Sequence, residues 1–183
     1  MNIVCYMGGT CGDLIVSVID PKDTKFNNSA MELPFERYKL KKPHLFENDN
    51  EKSDYIKSLE NTYLSIPSHD TPYHVKEKHD FISITVTDLK SANWAANRFK
   101  RLHAPHVWEE MMSYSGAKTV EDYANLLMHY SEMIKNHTDK LINLNDIYNG
   151  NLIEHLSKYI STPLSKNLYK NWLDLQNGKF IVD

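Results

Sequence analysis

Asn2-Ile3-Val4-Cys5-Tyr6-Met7-Gly8-Gly9-Thr10-Cys11-Gly12-Asp13-Leu14-Ile15-Val16-Ser17-Val18-Ile19-Asp20 is the stretch that decides the fold of this 183-residue chain. Asn2 to Tyr6 reads as a short buried strand, because the β-branched and apolar residues Ile3, Val4, Cys5 and Tyr6 follow without interruption until the glycines stop them. Residues 13 to 20 are apolar on nearly every side and end before Pro21. So short a run fits strand or helix equally by periodicity. A glycine-rich turn between a strand and an apolar segment favours the order strand, loop, helix.

Working outward, residues 21 to 50 are polar and irregular, with a basic patch at Lys39 to Lys42, and read as a long loop with one short element. Glu51 to Glu60 reads as a helix and Tyr63 to Ile66 as a strand cut off by Pro67. Phe81-Ile82-Ser83-Ile84-Thr85-Val86 is the clearest strand, and Thr87-Asp88 after it can cap a helix carrying Ala92, Ala95, Ala96 and Phe99 at helical spacing. Val120 to His137 repeats Tyr123, Leu126, Leu127, Tyr130, Met133 and Ile134 on one face, behind Thr119 and the acidic pair Glu121-Asp122. A fourth strand at Leu141 to Leu144 precedes a turn or helix capped by Asn145-Asp146. Further helices are expected at Leu152 to Ile160 and around Leu168 to Leu175. Strands that alternate with helices predict a single α/β domain over residues 1–183, with three αβα layers and a mainly parallel sheet.

Composition narrows the function. The net charge is -3, with 21 basic against 24 acidic residues, so binding to a nucleic-acid backbone has no evident electrostatic source. Cys5 and Cys11 form neither a Cys-x-x-Cys pair nor a Cys/His array, which disfavours a disulfide framework or a zinc site. His103 and His106 around Pro105 lack helical ligand spacing, and no metal is expected. The start lacks a signal peptide's pattern and no apolar run is long enough to span a bilayer, so a cytoplasmic location without membrane contact is expected.

Three clusters carry candidate chemistry. In Gly8-Gly9-Thr10-Cys11-Gly12-Asp13, glycines let backbone amides approach an anion at the head of the following helix. The same residues also serve as a tight strand-to-helix turn with no ligand. The Lys-Ser/Thr ending of a nucleoside-triphosphate loop is absent, and Asp13 stands where a cation would be wanted, which disfavours Mg-ATP hydrolysis. His69, in Ser65-Ile66-Pro67-Ser68-His69-Asp70, follows a strand and is a candidate base, with Asp70 able to orient it. Thr87 and Lys90 after the strongest strand, with Arg98 on its helix, are candidates for holding a second phosphate, or belong to a capped, solvent-facing helix.

The order of these pieces resembles the P-loop sulfotransferases, which move a sulfuryl group from 3'-phosphoadenosine-5'-phosphosulfate (PAPS) to an alcohol or amine. Cys5 to Leu14 looks like that family's phosphosulfate loop, Pro67-Ser68-His69-Asp70 like its base-histidine motif, and Ile84 to Lys90 like its strand into a 3'-phosphate-binding helix. Leu144-Asn145-Asp146-Ile147 resembles its Tyr-Glu-Asp-Leu segment. The chain is also similar in style to small sulfotransferase-like proteins of tailed bacteriophages. The resemblance implies a P-loop scaffold, PAPS or adenosine 3',5'-bisphosphate at Gly8 to Asp13, Thr87, Lys90 and Arg98, and His69 as base toward a small-molecule acceptor. Departures stand beside it: the loop has no Lys or Arg, Thr87 replaces an arginine, and Ala95 replaces a serine that would bind the 3'-phosphate. Those losses admit two other expectations: a degenerate member that binds without transferring, and a small nucleotide or nucleoside kinase.

Overall fold

A computed structural model describes residues 1–22, 48–68 and 80–176. Four strands, β1 (Asn2–Cys5), β2 (Ser65–Ser68), β3 (Asp80–Thr85) and β4 (Leu141–Asn143), form one sheet in the order β2-β1-β3-β4. All three pairings are parallel, with Val4 beside both Pro67 and Ile82, and Ile84 beside Ile142. The expected parallel α/β architecture is therefore present, since each parallel neighbour needs a crossover and the apolar runs supply the helices.

The helices are α1 (Gly12–Ile19), α2 (Asp49–Leu59), α3 (Leu89–Leu102), α4 (Pro105–Ser115), α5 (Val120–Ile134), α6 (Leu144–Tyr148), α7 (Leu152–Ser157) and α8 (Lys166–Gln176). The apolar run after the glycine turn is thus a helix. Every residue of α1 is buried, which explains why it shows no polar face. The sheet divides the core by strand alternation. Ile3 and Cys5 pack with Ile66, Phe81 and Ile56 of α2. Val4, Ile82, Ile84 and Ile142 join a larger cluster with α1, α3, α5 and Trp172 of α8. Helices cover both faces.

Three local expectations need correction. The second strand is not cut off at Pro67 but runs through it to Ser68. β2 is the edge of the described sheet, where a missing N–H leaves no ladder bond unmade. The cap of α6 is Asn143, whose side chain accepts from the Asn145 amide at 2.9 Å, rather than Asn145-Asp146. A helix not anticipated, α4, begins with Pro105 in its first turn and ends at Gly116, with φ 73°. That placement of Pro and Gly is a recognised helix signature.

Other local rules hold as expected. Asp88 caps α3 through the Ser91 amide at 2.8 Å. Thr119 and Asp122 form a reciprocal capping box on α5, with Asp122 Oδ2 accepting from the Thr119 amide at 2.9 Å. The C-terminal end of α1 is tied to the start of β2. Asp20 accepts from the Leu64 amide at 2.8 Å, and the Ser65 hydroxyl donates to the Val16 carbonyl at 2.8 Å. These bonds fix the position of α1, and with it the glycine turn at its other end.

Candidate functional site

Strand order makes a crevice before any side chain is considered. The chain leaves β1 toward β2 on one side, then returns to β3 on the other, so connections from the carboxyl ends of β1 and β3 diverge. Open parallel sheets bind ligands at such a reversal of strand order. The glycine turn leaves the carboxyl end of β1, and Val86 to Asp88 leave that of β3.

The turn is tightly wound. The Thr10 amide and hydroxyl both donate to the Met7 carbonyl, at 3.2 and 2.7 Å, so the Thr10 side chain closes the turn itself. Gly9 takes φ 88° and Cys11, the residue before α1, φ 63°. Both lie in the left-handed region, natural for the glycine and uncommon for the cysteine. Two carbonyls of the turn are held from the core. The Tyr123 hydroxyl of α5 donates to the Gly8 carbonyl at 3.3 Å, and Arg98 Nη1 of α3 to that of Gly9 at 3.4 Å. Burial pushes the Tyr123 hydroxyl well above its ordinary titration range, with the bond to Gly8 acting against that shift, so it stays a donor.

The missing side chains of the glycines are used for packing. A Cβ on Gly8 would meet the Phe99 ring at 2.5 Å, one on Gly9 the Ala95 carbonyl oxygen at 2.1 Å, and one on Gly12 the Tyr6 ring at 2.0 Å. Phe99 belongs to an aromatic cluster, its ring 5.7 Å from Tyr123, 6.0 Å from Trp108 and 4.3 Å from His103. Close approach of α3 and of Tyr6 to the turn is what these three glycines permit.

Two cavities open beside this framework. One of about 220 Å³ is lined by Gly8, Gly9, Cys11, Asp13, Arg98 and His103, with Tyr6 and α4 closing it. The other, about 370 Å³, is lined by Asp88, Lys90, Ser91, Trp94, Asn145 and Tyr148, together with Asn149. The Arg98 guanidinium lies 5.8 Å from the Trp94 ring, so this pair stands where the two cavities approach each other. Trp94 meets Tyr148 edge to face with centroids 4.4 Å apart. The smaller space lies below the usual size of small-molecule pockets. Only the larger falls in the range of small-molecule pockets, about 300 to 1,000 Å³.

In the larger cavity a polar network joins the start of α3 to α6. Asp88 Oδ2 accepts from Asn145 Nδ2 at 2.7 Å, and the Ser91 hydroxyl lies 2.9 Å from Asp88 Oδ2 and 2.5 Å from Asn145 Oδ1. One hydroxyl proton faces two acceptors there, and turning the Asn145 amide around would set its oxygen against the carboxylate. Desolvation pushes the Asp88 carboxyl up. Bonds from the Ser91 amide, Asn145, the Ser91 hydroxyl and the Lys90 amide outweigh it and hold the group below its ordinary value.

The structure thus brings Gly8, Gly9, Cys11, Asp13 and Arg98 to one cavity and Lys90 to the other. Gly12 sits under Tyr6 and Thr10 is buried within the turn. Thr87 is exposed and accepts from Asn143 Nδ2 at 2.7 Å without lining either cavity. Arg98 is 3% exposed, a buried residue and not part of a solvent-facing stripe. His69 lies outside the described residues, as do the basic patch at 39–42 and Asp70. Sequence reasoning passed over His103, Trp94, Asn145 and Tyr148 as site residues. The Phe99-x-x-x-His103 spacing at the end of a helical pattern was the one available signal that this histidine turns inward.

Among the described residues, no three His, Cys, Asp or Glu side chains are grouped to hold a metal ion, and no helix is long and apolar enough to cross a membrane. Family models, curated protein sequences and solved structures give no match to this chain.

Proposed function

We propose that the chain is a sulfotransferase-like protein that binds PAPS, or its product adenosine 3',5'-bisphosphate, in the crevice between the glycine turn and α3. The observation that carries this reading is a convergence: Gly9 and Arg98, 89 residues apart, line one cavity beside the glycine turn where the strand order reverses. In the proposal the 5'-phosphosulfate end takes the smaller cavity and the nucleoside lies against Trp94 in the larger one, with Lys90 at its rim. Sulfuryl transfer then needs an acceptor hydroxyl or amine, and a base, for which His69 is the sequence-based candidate.

Calorimetry with adenosine 3',5'-bisphosphate tests the binding. A dissociation constant below about 100 µM, weakened several-fold by Lys90→Ala, is expected; no binding up to about 1 mM ends the donor assignment. Lys90 is exposed, so its removal should leave folding intact.

A second reading, binding without transfer, has its own observation. All three glycine positions are filled by Phe99, Ala95 and Tyr6, and buried Asp13 faces the cavity where a transferring group would need a cation. Binding of the bisphosphate with no release of label from radiolabelled PAPS, tested against phenol and amine acceptors, would favour it. Turnover of ATP in the same screen would instead support a kinase.

A further inference from the structure

One face of α4 forms a wall of the turn cavity. Val107 and Met111, four residues apart and so on the same side of the helix, line it beside Gly8 and Gly9. Of the eleven residues of α4 only Met112 is buried, while Trp108 and Met111 pack half-buried against the larger core cluster. The Trp108 ring lies 6.0 Å from that of Phe99 and 5.8 Å from that of Tyr123, with Lys100 of α3 over it at 5.8 Å. The opposite face, with His106, Glu109, Glu110, Ser113 and Tyr114, is exposed.

A polar tie to the rest of the fold is what α4 lacks. Among the described residues, no hydrogen bond or ion pair joins it to another helix or strand. The Val107 and Trp108 amides donate to the Ala104 carbonyl at 2.9 and 3.3 Å, and the Ser115 hydroxyl to the Met112 carbonyl at 3.3 Å, all within the segment itself. The neighbouring helices are each tied. For α1 the bond is from the Leu64 amide to Asp20, for α3 from Asn145 to Asp88, and for α5 from the Val86 amide to the Ser131 hydroxyl at 2.7 Å. Hydrogen bonds fix geometry, whereas apolar contact is non-directional and lets a helix shift as a unit.

Both ends of α4 have the properties of hinges. Ala104 caps it without a side-chain bond, and Pro105 brings no N–H to be satisfied. Gly116 takes φ 73° with nothing within 4 Å of where a Cβ would stand, so its backbone turns without meeting a neighbour.

We infer that α4 is a hinged cover of the turn cavity. It swings away between Ala104 and Gly116 while the sheet, α1, α3 and α5 keep their packing, and its opening is the route by which small solutes reach Cys11 and the glycine turn. This device concerns access and goes beyond the functional reading above. Once undocked, the eleven-residue helix is shorter than the roughly 12 to 15 residues that an isolated helix needs in water, so opening also breaks its backbone bonds. Amide exchange therefore reports it.

Native-state hydrogen exchange on the whole chain is the first measurement. The amides of residues 109–115 should exchange together, on the order of a hundredfold faster than those of 94–99 in α3 and 124–131 in α5, in a step that low urea barely accelerates. Two thiols give the second. Cys11 lines the cavity and is 2% exposed, whereas Cys5, 0% exposed, lies in β1 and packs on the other side of the sheet. Iodoacetamide, with the modified residue located by mass spectrometry, should react with Cys11 at least on the order of tenfold faster than with Cys5. Asp88→Ala, which removes the α3 cap, should speed exchange in α3 and α5 several-fold and leave α4 exchange and Cys11 modification unchanged. Trp108→Ala should speed those last two by the same factor. Equal protection and urea dependence across α3, α4 and α5 would overturn the inference, as would acceleration of α4 by Asp88→Ala to the extent seen in α3. A Cys11 thiol no faster than Cys5, or one unaffected by a Trp108→Ala change that speeds α4 exchange, would overturn the route. None of these readouts uses a nucleotide, so failure to bind adenosine 3',5'-bisphosphate removes the PAPS proposal alone.

Discussion

Gly9→Ala tests the architecture of the turn most directly. At φ 88° an alanine enters the left-handed region, and its Cβ would stand 2.1 Å from the Ala95 carbonyl oxygen and 2.9 Å from the carbonyl carbon. These are backbone atoms inside α3, with no flexible side chain to swing aside. The left-handed conformation costs about 1 to 2 kcal/mol, and forcing an extra methyl into a packed site about 1 to 3 kcal/mol. The smaller conformational freedom of alanine in the unfolded chain offsets about 0.4 to 1 kcal/mol. The sum is a loss of roughly 1 to 5 kcal/mol. Gly116→Ala is the internal control, since Gly116 has φ 73° but nothing within 4 Å of a Cβ. It carries the conformational cost without the clash and should lose only about 1 kcal/mol. Urea denaturation of both variants gives the comparison. In a thermal scan each kcal/mol is worth about 2 to 4 °C for a chain of this size. Equal losses for the two variants would refute the close approach of α3 to the turn.

Three further outcomes follow from the same contacts. Tyr123→Phe removes the donor to the Gly8 carbonyl and should cost about 0.5 to 1.5 kcal/mol, with faster hydrogen exchange at Gly8 and Gly9; unchanged exchange would mean that the turn is held by other contacts. Asp88→Ala removes the α3 cap and should cost about 0.5 to 2 kcal/mol. Because the native Asp88 carboxyl is held below its unfolded value, its contribution is fully present above the unfolded pKa, near 3.9, and is lost as pH falls from there through the lowered native value. The acid limb of the stability curve should therefore be shallower in the variant. At the alkaline end the sign reverses. Burial first of all pushes the Tyr169 hydroxyl up to about 12 while it donates to the Ile147 carbonyl at 2.6 Å. Its contribution is whole below pH 10, near the unfolded pKa, and falls away as pH rises through 12. Tyr169→Phe should flatten that limb in denaturant titrations between pH 9.5 and 12, and an unaltered limb would contradict the assignment.

The candidate site was legible in the sequence only where its chemistry is local. A glycine-rich turn after a strand declares itself through residue type, and Asp88 through its place just ahead of a helix. Arg98 was legible as a cation on a helix but not as a buried one, because burial depends on how close α3 comes to the turn. That approach is set by Gly8 and Gly9 on one element and Ala95 and Phe99 on another. His103 was set aside because ligand spacing along the chain was the criterion, whereas its place at the turn cavity comes from the end of α3 packing beside the turn after β1.

By itself, the sequence determined the elements: an apolar run broken by glycines, β-branched strands, capped helices and the parallel α/β class that their alternation requires. Those properties arise from interactions between residues a few positions apart, so period and cap residues carry them. Only the tertiary structure decided the strand order β2-β1-β3-β4, the filling of the glycine positions by Tyr6, Ala95 and Phe99, and the meeting of Asp13, Arg98 and His103 at one cavity. Long-range packing chooses those partners. The free energy of burying apolar area is non-directional and leaves no pattern along the chain to say which surfaces will meet.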